Sequence, residues 1–404
     1  MDTKRSTLLA ILVAALGYFV DVYDLILFSV IRMASLKDLG VPEADILHVG
    51  IDLLNWQMAG LLIGGFLWGV LGDKRGRISV LFGSIILYSI GNILNGFVTT
   101  VTQYEILRFI TGVGLAGELG AGITLVSELV SPKNRGYATT FIAFVGIFGA
   151  VAAALTADLF YWRTSYFVGG GLGLSLLVLR IAVAESSLFD KIKSQNHSRG
   201  DLKLLFSKWS RFKKLLSCIA VGVPIWYSIG ILVTFSPEIG AAMGMEIPPA
   251  AGRAVLFGYI GLGLGDLFSG LLSQRLKSRR KAIGIFLLIS AVITTVLLSK
   301  SGMSQVEFYC WITLLGVGGG YWAVFITSAA EQFGTNLRAT VTTAVPNLVR
   351  ASVIPATMLL RYLQEDWGII TSALAVGAIS LLVAIIALMT LKESYGQDLD
   401  FIES

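Results

Sequence analysis

Long apolar runs, separated by short polar ones, constrain this chain before any single residue does. Twelve of them come close to the roughly 20 residues a helix needs to cross the hydrocarbon core of a bilayer: 7–32, 50–71, 78–99, 104–127, 136–159, 165–184, 215–236, 254–273, 282–299, 307–328, 339–360 and 368–391. The chain is 55% hydrophobic and only 14% charged, with a mean hydropathy of +0.77. Soluble chains carry about 25% charged residues, so too little polar surface is left to hold this one in water. An all-α membrane protein is expected.

The same composition excludes several function classes. The cysteines, Cys218 and Cys310, fall in apolar runs and read as small buried hydrophobes; the histidines, His48 and His197, stand near neither. No metal-ligand spacing and no nucleophile–base pair results, so neither a cofactor, a metal nor an enzyme activity is expected. The pI near 9.1 does not point to nucleic acid, because the basic residues lie between the apolar runs. The first run is too long for a secretory signal, and no small-residue cleavage site follows it.

Charge placement sets orientation and organisation. The longest polar interruption, ESSLFDKIKSQNHSRGDLKLLFSKWSRFKK, lies between the sixth and seventh runs and splits them six and six. The expected organisation is one six-helix unit over 1–186, a linker over 187–212 and a second unit over 213–404. The termini and the loops after even-numbered runs hold 22 of the 31 Lys and Arg; the opposite side holds six, Arg32, Lys37, Arg163, Arg253, Lys300 and Arg361. By the positive-inside rule both termini face the cytoplasm. The halves also repeat. Glu128 and Arg135 in ELVSPKNR stand seven apart, as do Glu331 and Arg338 in EQFGTNLR 203 residues later, and GVLGDKRGR is echoed by GLLSQRLKSRR at an offset of 201. Duplicated units with a binding site at their interface are a transporter architecture.

Charges inside the runs are the candidate site. An ionised side chain at mid-membrane costs about 2.5–3.5 kcal/mol on insertion scales, so it faces a cavity or a partner. The segment GYFVDVYDLILFSVIR carries Asp21 and Asp24 three residues apart, on roughly one helix face. At ~1.5 Å per residue, Asp24 and Arg108 of the fourth run reach compatible depths, so Asp21, Asp24 and Arg108 are expected to form one buried cluster. Opposing effects of burial and a nearby arginine on a carboxylate allow proton uptake on one side and release on the other. Glu118, deeper and flanked by Gly117 and Gly120, is a second proton-coupling candidate. A static ion pair and direct substrate contact are the alternatives. Arg350 in the eleventh run has no acid within a helical turn; its counter-charge is either the carboxylate or phosphate of a substrate, which Arg grips bidentately, or Asp266 of the eighth run. Pro346 and Asn347 would loosen that helix and place an amide on the same face. Trp226 and Tyr227, near Pro224 and Gly230, and Tyr321 and Trp322, after GVGGG, are either cavity wall or ordinary packing.

The loop GVLGDKRGR resembles the signature G-x-L-x-D-x-x-G-R of the major facilitator superfamily at Gly69, Leu71, Asp73, Gly76 and Arg77. The resemblance implies two pseudo-symmetric six-helix bundles, twelve transmembrane helices in all, around a central cavity, working by alternating access. It also implies a gate in which Asp73 meets the amino end of the eleventh span, with Arg77, Glu128 and Arg135 in the same ion-pair network. In the second half Gln274 replaces the acid, so that latch should be weaker or built differently. RFITGVGLAGELGAG resembles the R-x-x-x-G…GE pattern of metabolite:proton symporters and sugar porters at Arg108, Gly112, Gly117 and Glu118. RIAVAESSLF resembles their R…ES…F signature at Arg180, Glu185, Ser186 and Phe189, with Ala184 where they carry proline. D-V-Y-D is similar to the acidic first-span segment of organic-acid symporters. The fifth run lacks the Gly-Pro motif of drug:proton antiporters.

The expected function is therefore proton-coupled import of a small polar metabolite, anionic or zwitterionic, across a bacterial inner membrane. The partners are that substrate and the lipid bilayer, the coupling ion is the proton, and the family generally works as monomers. A uniporter, a proton-antiport exporter, and a membrane receptor or scaffold without transport are the alternatives.

Overall fold

A computed structural model of the protein describes residues 3–75, 77–118, 132–184 and 208–396. The described chain is a succession of helices: α1 (Thr3–Asp38), α2 (Ile46–Arg75), α3 (Arg77–Asn95), α4 (Val101–Leu115), α5 (Pro132–Leu159), α6 (Trp162–Ala184), α7 (Trp209–Tyr227), α8 (Ser236–Ala242), α9 (Ala251–Leu276), α10 (Arg279–Ser299), α11 (Gln305–Gly319), α12 (Trp322–Glu331), α13 (Thr335–Ala351) and α14 (Val353–Thr390). Among the described residues, eight stretches are long and apolar enough to cross a membrane, and Ser79–Asn95 and Phe144–Leu159 are shorter apolar helices. One of the eight, Val341–Thr390, runs for 50 residues, far beyond one bilayer crossing. It is interrupted at Gly368, whose φ of 69° and ψ of 164° no helix contains, so α14 is two helices end to end.

The fold is turned inside out relative to a soluble one. Large apolar side chains such as Ile90, Phe97, Leu159 and Val292 point outward, while Asp21, Asp24, Arg32, Arg108 and Arg350 are buried. Cys218 is buried as expected, but Cys310 lies on the outward face; lipid accepts a thiol side chain as readily as a packed interior does.

The repeat is visible as packing. In the first half α1 packs on α5 and α6, α2 on α4, and α3 on α4 and α6; in the second, α7 packs on α13 and α14, α9 on α11, and α10 on α11 and α14. Glycines make the equivalent contacts in both. A Cβ on Gly60 would collide with the Phe109 carbonyl and one on Gly112 with that of Gln57; a Cβ on Gly261 or Gly316 would collide with the carbonyl of Thr313 or Gly258. α2–α4 and α9–α11 are thus backbone-to-backbone contacts, of the kind small residues permit between membrane helices.

The halves meet through α2 and α13, α5 and α9, and α1 and α9. On the face where α1 ends, the far face, polar links tie them together. The Arg32 guanidinium bonds Glu238 at 2.8 Å and lies 4.8 Å from the Phe235 ring. Thr234 donates to Ser29 at 3.0 Å, Arg361 pairs with Asp52 at 3.0 Å, and Thr357 donates to Asn55 at 2.8 Å. The far face is closed.

At the opposite, near face, the second half is tied by a strap after α14. Glu393 accepts from the Ser278 hydroxyl and from the backbone N–H groups of Arg279, at 2.8 Å, and Tyr395, at 3.0 Å. It caps the amino end of α10, where the helix dipole favours an anion. Arg279 pairs with Glu331 at 3.3 Å, and Tyr395 donates to Gln274 at 2.9 Å. The acid missing at Gln274 is thus answered by a carboxylate from further along the chain. Burial raises the Glu393 carboxyl, but the hydrogen bonds from Ser278, Tyr395, Arg279 and Arg280 outweigh it and hold it below the usual carboxylate value. Its contribution to stability is present above that usual value and is lost as pH falls through the lowered one. Glu393→Gln should therefore melt below wild type at neutral pH, with the gap closing under acid; a gap independent of pH in thermal unfolding would overturn this.

Candidate functional site

Asp21 and Arg350 meet in the middle of the molecule. The Arg350 guanidinium reaches Asp21 Oδ2 at 3.2 Å, with both side chains buried. The pair joins α1 to α13 and so bridges the two halves. Asp266, the alternative partner, is elsewhere: it accepts from the backbone N–H of Ala323, at 3.1 Å, and of Trp322. The reason is local. The GVGGG run breaks the tenth apolar run at Gly320, where a Cβ would strike the backbone of Gly265 and Asp266. The break exposes the amino end of α12 in mid-structure, and the Asp266 carboxylate caps it.

Arg350 is only partly satisfied. Its Nε and Nη1 have no hydrogen-bond partner among the described residues, and neither does Asp21 Oδ1. The indole of Trp226 lies 5.9 Å from the guanidinium. Tyr18, three residues before Asp21 on the same helix face, carries its hydroxyl beside the Trp322 side chain and within the electrostatic reach of Arg350, Asp21 and Asp266. Tyr259 feels the same Arg350 and Asp21 charges. Neither tyrosine stood out in the sequence; the available signal was the i, i+3 spacing of Tyr18 and Asp21.

The other aromatic candidates divide. Trp226 and Trp322 belong to this cluster. The Tyr227 hydroxyl turns away to the Ala373 carbonyl at 2.7 Å, against Gly377, and Tyr321 donates to the Val221 carbonyl at 3.0 Å; both brace helices of the second half. After Pro224 the helix runs into a π-turn over Ser228–Val233, with the Ser228 hydroxyl donating at 3.0 Å to the Pro224 carbonyl. Asn347 donates to the Ala116 carbonyl at 2.9 Å, a second link between the halves.

Asp24 and Arg108 do not join the Asp21 cluster. The two carboxylates of α1 diverge: Asp21 faces the second half, while Asp24 points into the first bundle against Gly169 of α6. Three residues along a helix still differ by about 60° in direction, which is enough to send them to different neighbours. Arg108 lies 5.1 Å from the Phe28 ring and donates to the Tyr166 hydroxyl at 3.5 Å. It acts on Asp24 through space, without a direct ion pair. Glu118 is held by Arg180 through two hydrogen bonds, one at 3.0 Å, against Gly17 of α1. Arg180 entered the sequence reading only as part of a signature; its buried partner explains why a base stands inside an apolar run.

Of the gating residues, Gly69 lies on α2 and Glu331 pairs with Arg279. Gly76 and Glu128 lie outside the described residues, as do the side chains of Asp73, Arg77, Arg135 and Arg338.

Removing one partner of a buried ion pair leaves an uncompensated charge, at a cost of about 3–5 kcal/mol. Asp21→Asn and Arg350→Gln should each lower the melting temperature of the purified protein, and the double variant should lose less than the sum. Strict additivity in that cycle would show the two side chains to be energetically independent.

The chain is 27% identical over 357 residues to a putative metabolite transport protein of Haemophilus influenzae, covering 85% of each chain. It is 24% identical to the gentisate transporter of Corynebacterium glutamicum, over 96% of this chain and 89% of that one. In fold it is similar to the crystal structure of a D-xylose-proton symporter, with a TM-score of 0.73 and 15% identity over 96% of this chain and 99% of that one. The family model for the Major Facilitator Superfamily matches residues 7–356, and the chain belongs to that superfamily of transporters.

Proposed function

We propose that the protein imports a small carboxylate-bearing metabolite together with a proton, by alternating access, with both termini in the cytoplasm of a bacterial inner membrane. The single observation that carries this reading is the half-satisfied Arg350. One arm of the guanidinium is engaged by Asp21, while Nε and Nη1 remain without partners beside Trp226. Each bidentate edge of the guanidinium, Nε with Nη2 and Nη1 with Nη2, thus has one nitrogen free and shares the other with Asp21, so release of Asp21 completes a fork suited to a carboxylate, with an aromatic wall for the body of the substrate. The gentisate transporter named above carries an aromatic carboxylate, which fits both features.

The pair supplies a coupling logic. A proton on Asp21 removes its charge and frees Arg350, and the substrate carboxylate takes the vacated arm. The bridge between the halves then runs through the substrate. Proton without substrate leaves Arg350 buried and unpaired; substrate without proton sets two carboxylates against one guanidinium. Both incomplete states are costly in low dielectric, so only the fully loaded and fully empty carriers rearrange. The closed far face fits a carrier whose next opening is towards the cytoplasm.

The test is uptake into vesicles reconstituted with the purified protein, under an imposed pH gradient, screened over gentisate, benzoate, a sugar acid, an amino acid and D-xylose. Carboxylates should accumulate only with the acid side outside, and a protonophore should abolish it. Arg350→Ala should cut carboxylate uptake about tenfold or more, the loss of one charged hydrogen-bond pair, and affect a neutral analogue far less. Accumulation indifferent to the gradient, or confined to the neutral sugar, would overturn the reading.

A further inference from the structure

Asn347 reaches from the second half into the first with a short, buried side chain. Its Nδ2 donates to the Ala116 carbonyl at 2.9 Å and to the Thr343 carbonyl of its own helix at 3.2 Å. Ala116 directly follows α4, whose last helical residue is Leu115, and carbonyls at a helix end take partners from outside the helix. α2 lies beside this bond with two adjacent glycines. A Cβ on Gly64 would collide with Ala116, whereas one on Gly65 would rest 3.5 Å from the Asn347 side chain, an ordinary contact. The glycine pair lets α4 and α13 approach each other over α2, so that an amide as short as that of asparagine spans the halves.

The bond lies on the near-face side of Arg350. α13 rises from the near face at Thr335, and Asn347 precedes Arg350 by three residues, about 4.5 Å along the axis. The two share a helix face, and both reach the first half, Arg350 to Asp21 of α1 and Asn347 to the end of α4. Pro346 stands directly before Asn347 inside α13. It brings no N–H to the preceding turn, so the helix is loosened where the amide crosses. The outer end of the same seam is built differently. There His48, Asp52 and Asn55 of α2 meet Gln364, Arg361 and Thr357 of α14 as successive rungs, at 3.2, 3.0 and 2.8 Å.

We propose that Asn347 is the inner latch of the carrier: bonded to Ala116, its amide closes the way from Arg350 to the near face, and substrate leaves on that side only after the bond breaks. The rungs between α2 and α14 hold the outer end of the seam meanwhile and serve as the hinge. The amide is built to let go. Asn347 Oδ1 has no hydrogen-bond partner among the described residues, so Nδ2 alone makes the link to α4. After release the Thr343 carbonyl still holds Nδ2, and the Ala116 carbonyl faces the passage that has opened to solvent. Neither group is left both buried and unpaired, the state that costs most. Because Asn347 and Arg350 ride on one turn of α13, a change at the Asp21–Arg350 pair reaches the latch through the helix itself. Asn347 is a positioning residue for the opening step and takes no part in gripping substrate. The direction of release rests on the import reading above; the latch does not.

Double electron–electron resonance between spin labels reads the latch without any substrate. The full-length protein in lipid carries Ile181→Cys and Lys277→Cys for labelling, with Cys218→Ala and Cys310→Ala; Ile181 near the end of α6 and Lys277 after α9 are exposed and lie towards the near face of the two halves. Asn347→Leu, which keeps the bulk and removes the donor, should raise the ratio of long to short distances about fivefold, as loss of one hydrogen bond does. Gly65→Leu leaves Asn347 in place but wedges it away from Ala116. It should move the ratio the same way, and this arm stands even where Asn347→Leu does not fold. Gly65→Ala, for which there is room, should keep the wild-type ratio. A lowered melting temperature with an unmoved ratio in Asn347→Leu, the mark of packing alone, would overturn the latch, as would an unmoved ratio in Gly65→Leu. Vesicles that take up no carboxylate would instead overturn the import reading and leave the latch standing.

Discussion

A charge carried into hydrocarbon must be answered, and the answer organises this protein. Asp21 and Arg350 are buried 329 positions apart in the chain, and neither is tolerable alone at that depth. Their meeting requires α1 and α13 to come within side-chain reach of each other, which ties the two halves together between their helices. The polar links of the far face and the contact of Asn347 with α4 then act above and below one central attachment. A neutral pair at the same place would pack equally well, but nothing about it would respond to a proton or to an anion.

The first bundle carries further buried charges beside that attachment. Arg108 with Asp24, and Arg180 with Glu118, lie within one bundle and tie α1, α4 and α6 to one another rather than to the other half. Two acids three residues apart thus take different neighbours, Asp21 across the halves and Asp24 within one of them.

Much of this was legible in the sequence, for a physical reason. Apolar runs of bilayer length, their polar breaks and the bias of Lys and Arg follow from the solvent alone, and charges inside such runs are rare enough to point at the site. Asp21, Asp24, Arg108, Glu118 and Arg350 were all found that way. What could not be read was who faces whom. Arg350 meets Asp21 rather than Asp266 because the helix break at Gly320 gives Asp266 a backbone partner, and a run of glycines does not say whether it packs or breaks. Trp226 and Tyr227 part company because neighbouring side chains on a helix point about 100° apart. Tyr18 and Tyr259 look like ordinary aromatic residues of apolar runs until the charges around them are placed. The loop residues Gly76 and Glu128 lie outside the described structure.

The glycine contacts between α2 and α4, and between α9 and α11, carry a mechanical consequence. Side chains between helices act as a soft layer, able to change rotamer while the helices slide. Where carbonyl meets Cα directly that layer is missing, and sliding would drive atoms into one another at once. Each of these pairs should therefore travel as a stiff plate, and the pliancy that opening and closing demand must come from elsewhere. Among the described residues, the π-turn after Pro224 and the interruption at Gly320 both lie in the second half, which places the give between its helices rather than within the plates.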